Sequence, residues 1–87
     1  MATQEPNLVK LQINPAGAWR DVLRFDIDAV DVKAIQAASV QLVEVAYPQG
    51  GASLRIVTTE AYPRALWHWD LKRGWEAVMS GIAHAVF

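Results

Sequence analysis

Residues 70–87 read DLKRGWEAVMSGIAHAVF, and two different structures can be written on them. Spaced at 100° per residue, Leu71, Trp75, Val78, Met79, Ile82, Ala85 and Val86 form one apolar stripe, with Glu76, Ser80 and His84 opposite and Asp70 placed as an N-cap. That pattern predicts a helix. Gly74 and Gly81 speak against it, since each costs about 1 kcal/mol relative to Ala in a helix interior. A strand at Gly74 to Met79, turned through Asp70 to Gly74, is the rival reading. The helix is the expectation carried forward.

Upstream, residues 64 to 69 alternate, with Ala65, Trp67 and Trp69 on one side and Arg64, Leu66 and His68 on the other, as in a half-buried strand. Residues 52 to 59 alternate likewise, setting Leu54, Ile56 and Thr58 against Ser53, Arg55, Val57 and Thr59, and Glu60 to Pro63 supply the turn between the two strands. Pro48, Gly50 and Gly51 end an element that Asp28 opens as N-cap, with Asp31 in its first turn. Within it, Val32, Ile35, Ala38, Leu42, Val43, Val45 and Ala46 share a helical face. Ser39 falls inside that apolar arc and requires a backbone partner.

Leu8 to Asn14 and Ala18 to Ile27 complete the pattern as a hairpin turned by Pro15 and Gly17. In its second strand Trp19, Leu23, Phe25 and Ile27 point one way, and Arg20, Val22, Arg24 and Asp26 the other. Asp21, on the apolar side, is the one misfit. The predicted fold is α+β: a two-layer sandwich in which a four-stranded, mainly antiparallel sheet carries two helices on one face, in the order ββαββα. An echo at an offset of 44 residues links Arg20 to Arg64, Leu23 to Trp67, Phe25 to Trp69 and Asp26 to Asp70, which two hairpin-to-helix junctions obeying the same patterning rules would produce.

The whole chain has 87 residues, 53% of them hydrophobic, with four Trp, no Cys, eight Lys and Arg, nine Asp and Glu, and a net charge of −1. Such a composition excludes a disordered tail or a low-complexity linker and fits one small globular domain, residues 1–87, with residues 1–6 disordered. The absence of Cys removes disulfide scaffolds and thiol catalysis. Residues 1–7 lack a basic segment followed by an apolar one, and no apolar run approaches the roughly 18 residues that span a bilayer. A soluble, cytoplasmic protein with no membrane contact is the expectation.

With both helices over the Trp-bearing side, the opposite face gathers five of the eight basic residues. The interaction face expected there consists of Lys10, Arg20, Val22, Arg24, Arg55, Val57, Arg64, Leu66 and His68. Apolar Val22, Val57 and Leu66 amid charges suit a protein partner or a homodimer, formed through this face or the C-terminal helix. A weak single-stranded nucleic-acid-binding domain using the same basic face is the alternative. His68 and Asp70 share a strand side and could form a His-Asp pair, but Asp70 already serves as a cap. Two His make a poor zinc site, and Gly50-Gly51 lacks the spacing of a phosphate loop. No enzyme activity, catalytic residue, cofactor or metal ligand is expected.

Overall fold

A computed structural model describes residues 7–78. The elements are β1 (Leu8–Asn14), β2 (Arg20–Asp26), α1 (Val32–Ala46), β3 (Ser53–Thr58), β4 (Ala65–Asp70) and β5 (Gly74–Ala77). The strands form one antiparallel sheet in the spatial order β2-β1-β3-β4-β5. Because β2 and β3 both run against β1, they are parallel to each other, and α1 makes the crossover between them.

This corrects the expected architecture. Five antiparallel strands and one helix, ββαβββ, stand where a four-stranded sheet with two helices, ββαββα, was predicted. The difference lies in residues 70–78. Asp70 ends a strand instead of opening a helix: its Oδ1 accepts the Lys72 and Arg73 N–H groups at 2.9 and 2.8 Å. Gly74 then takes φ +71°, a left-handed value that a side-chain-bearing residue adopts only at a cost, and the chain reverses into β5. Trp75 pairs with Trp69 and Ala77 with Trp67, so the apolar positions at Trp75 and Ala77 obey the period of a strand. Trp75 also reaches under α1, its indole N–H donating to the Gln36 carbonyl at 3.1 Å. The rest of the predicted second helix, and the expected disorder of residues 1–6, lie outside the described residues.

Asp31 is the N-cap of α1, three residues after the expected Asp28, and its side chain accepts from the Lys33 and Ala34 N–H groups. The delay has a local cause. Asp26 Oδ1 accepts the Asp28 N–H at 2.9 Å and the Asp26 carbonyl accepts the Ala29 N–H at 3.0 Å, closing a turn before the helix can begin. Asp26 and Asp70 therefore do the same thing, each folding the chain back on its own side chain at a strand end. That shared turn is the physical content of the 44-residue echo. Ser39 finds the backbone partner it requires, donating to the Gln36 carbonyl at 2.8 Å.

The core lies between α1 and one sheet face. Val9 and Leu11 of β1, Phe25 of β2, Leu54 and Ile56 of β3 and Trp69 of β4 are buried there with Val43 of α1. Two β-bulges interrupt the alternation that the sequence displays. Leu11 pairs with Leu23 but Gln12 with Asp21, leaving Val22 extra; Ile56 pairs with Trp67 but Val57 with Ala65, leaving Leu66 extra. An extra residue inverts the facing of everything beyond it in its strand.

Candidate interaction face

The inversions decide what the sheet shows on the side away from α1. Val22 is drawn to the α1 side, where it lines a groove with Leu11 and Ile35, and Leu66 packs against the core. Beyond the first bulge Arg20 pairs with Ile13, which packs against the core on the α1 side. Beyond the second, Arg64 brackets Thr58, donating its N–H to Oγ1, while its guanidinium meets Glu60 at 3.1 Å. Of the nine expected residues, Lys10, Arg24, Arg55, Val57 and His68 remain together on the open face. Arg20, Val22, Arg64 and Leu66 do not.

The same inversion turns Asp21 onto the open face and so resolves the misfit in the β2 pattern. Asp26, paired with Leu8, Asp70, paired with Gly74, and Glu76, paired with His68, join it. Four carboxylates now accompany three cationic side chains and one imidazole. The face is mixed in charge, not basic. Val57 contributes no exposed apolar centre either: it is 1% exposed, sealed between its ladder neighbours Lys10 and Ala65.

Through the middle of this face runs one row of side chains, one from each strand: Asp21, Gln12, Arg55, His68 and Glu76, consecutive ladder partners from β2 to β5. At about 4.8 Å per strand the row spans about 19 Å. Its first half is hydrogen-bonded in series. Arg55 Nε donates to Gln12 Oε1 at 2.7 Å, and Gln12 Nε2 donates to Asp21 Oδ1 at 2.7 Å. Lys10 Nζ stands 3.6 Å from Asp21 Oδ2. The donating Gln12 amide, followed by the Lys10 charge, holds the Asp21 carboxyl below its usual range.

Trp19 completes the arrangement and contradicts the expectation for it. It stands just before β2, past the bulge, so its ring lies over the open face instead of under a helix. The Arg55 Cζ sits 4.1 Å from the Trp19 ring centroid, and the His68 ring meets Trp19 edge-on at 6.3 Å and 75°. Cation–π contact and a hydrogen bond thus fix the guanidinium from two directions. Burial pulls the Arg55 pKa down, and the group stays charged. Among the described residues its two Nη groups have no hydrogen-bond partner, so they remain donors for something else.

Asp70 is committed to its turn: the Arg73 and then the Lys72 backbone N–H lower its pKa, with the Arg73 and His68 charges adding to the effect. The His68 ring lies against Trp19. Trp67 and Trp69 pack on the α1 side. Among the described residues no group of three His, Asp or Glu could hold a metal ion, and no helix is long and apolar enough to cross a membrane. Sequence alternation alone missed Trp19, Asp21 and Glu76. The signal for the bulge was present in Asp21, the residue that refused the pattern.

Comparison with family models, curated proteins and solved structures finds no match to this chain.

Proposed function

We propose that this chain is a protein-interaction module, not an enzyme, and that its open sheet face binds a carboxylate-bearing stretch of a partner protein. The observation that carries this reading is the state of Arg55. Its guanidinium is already immobilised by Trp19 and Gln12, so the rotamer entropy that binding would otherwise cost is spent before the partner arrives. Its Nη donors stay open, and their planar fork matches a carboxylate in bidentate geometry. A Trp and an Arg in contact near the centre of a surface are also the residue types that dominate binding energy in protein interfaces.

The nucleic-acid reading is weaker on this geometry. Among the described residues one indole, Trp19, lies on this face, where single-strand binders offer a series of rings for stacking.

The test is an NMR titration of the intact chain with a short Asp- and Glu-rich peptide and, separately, with single-stranded oligothymidylate, each at about 50 and 200 mM salt. The peptide should move the Arg55 Nε–H, Trp19 indole N–H and His68 signals, and Arg55→Ala should abolish those shifts while leaving the remaining amide spectrum in place. No shift at these three groups at millimolar peptide overturns the proposal. A larger response to the oligonucleotide, collapsing with salt, overturns it in favour of nucleic acid.

A further inference from the structure

A second surface, on the other side of the sheet, is unaccounted for. Between α1 and β2 lies a groove of about 180 Å³ lined by Leu11, Val22, Leu23, Ile35, Ala38 and Leu42, with Ser39 at its base. Ser39 is its one polar side chain, and its hydroxyl is already bonded to the Gln36 carbonyl. Val22, Leu23 and Leu42 are 43%, 44% and 53% exposed, so the groove is open to water. Ala38, Leu42 and Val45 continue it along one stripe of α1 at i, i+4 and i+7, and Val45 is 82% exposed. An apolar strip of this kind, running from a sheet edge onto a helix, is what soluble domains normally cover.

The edge beside it is unpaired. Among the described residues β2 is bonded to β1 alone. The Ile27 N–H donates to the Asn7 carbonyl, so by antiparallel alternation Phe25 and Leu23 turn their backbone groups toward β1, while Arg24 and Asp26 turn theirs outward. Proteins guard such edges with bulges, with charged side chains, above all Lys, and with Pro at positions facing a would-be partner strand. Here there is a bulge, but the charges are of opposite sign and symmetrically placed. On the open face, Arg24 stands one ladder step to one side of Leu23, opposite Lys10, and Asp21 one step to the other, opposite Gln12. A twofold axis through Leu23 therefore sets Arg24 against the partner's Asp21 and Asp21 against the partner's Arg24. On the opposite face the same axis sets Leu23 against the partner's Leu23 and brings the two grooves together.

We propose that β2 pairs with β2 of a second copy of this chain about a twofold axis at Leu23, joining two five-stranded sheets into one and burying the α1/β2 grooves against each other. The contact is isologous, so it closes at a dimer and leaves no free edge of its own kind. It uses neither Arg55 nor Trp19, shares only Asp21 with the open-face row, and does not depend on the carboxylate-binding reading.

The chain contains no Cys, which makes the test specific. Leu23 opposite its own copy is a non-hydrogen-bonded pair, whose Cα atoms stand about 4.5 Å apart, within disulfide range. Sedimentation velocity over a wide concentration range should show the wild-type chain passing from monomer to dimer, and Leu23→Lys and Leu42→Glu should remain monomeric with unchanged circular dichroism. Under mild oxidation Leu23→Cys should convert to covalent dimer, whereas Tyr62→Cys, at a loop position 89% exposed, should not. A wild-type chain that is monomeric at every concentration overturns the proposal. So does a dimer that survives Leu23→Lys, or cross-linking of Tyr62→Cys as ready as that of Leu23→Cys. Peptide shifts at Arg55 in the monomeric Leu23→Lys variant would show that the two surfaces stand or fall separately.

Discussion

Replacing Ile56 by Ala is expected to cost about 2–5 kcal/mol of folding stability, out of a total of about 5–15 kcal/mol for a domain of this kind. Ile56 is fully buried in β3, the middle strand of the five, with Leu11 beside it on β1 and Trp67 on β4. Its neighbours are held by ladders on both sides, so the sheet cannot close over the space that three lost carbons would leave. Urea denaturation should show a lower midpoint with an unchanged slope. A loss below about 1 kcal/mol would mean that the site collapses freely, as a loosely packed or edge position does.

The second large effect is expected one residue along, on the other face. Val57→Lys should destabilise the chain by on the order of 3 kcal/mol, because the new ammonium is desolvated and has Lys10 directly opposite it in the ladder. The sign with pH follows from burial. A buried ammonium has a lowered pKa in the folded state, so the destabilisation is full where the amine is charged in both states and shrinks as pH rises through that lowered value. On an ordinary solvated sheet face the same substitution would change stability by less than about 0.5 kcal/mol. Ile56 and Val57 together state a property of β3 that alternation conceals: its central residues are dry on both sides, one under α1 and the other beneath the stems and ladder partners of the open face.

Much of the chain is legible from period alone. β1 falls where Leu8 to Asn14 alternate, and β3, β4 and α1 follow from the apolar positions of Leu54, Ile56, Trp69 and Val43. Where reading fails, a local interaction has overridden the period. Leu71, Trp75 and Val78 happen to fit a helical stripe, but the Asp70 side chain captures two backbone donors and Gly74 accepts a positive φ, and together these favour a hairpin. The open face fails for a different reason. Arg20, Val22 and Arg24 alternate without interruption in the sequence, and nothing but Asp21 betrays that the strand counts one residue more than its partner. One bulge therefore moves Arg20, Val22, Asp21 and Trp19 at once, and a second moves Arg64 and Leu66. The basic face disappears and the Trp19, Arg55 and Gln12 cluster takes its place.

Everything proposed for that cluster requires the Trp19 indole to lie across Arg55 on the side of the sheet away from α1. Nuclear Overhauser contacts from the Trp19 ring protons test this directly. They should run to the Arg55 δ-methylene and the His68 ring, with the Arg55 signals shifted upfield by the indole. Contacts from Trp19 to Ile35 or Val40 of α1 would place the indole in the core and contradict the account.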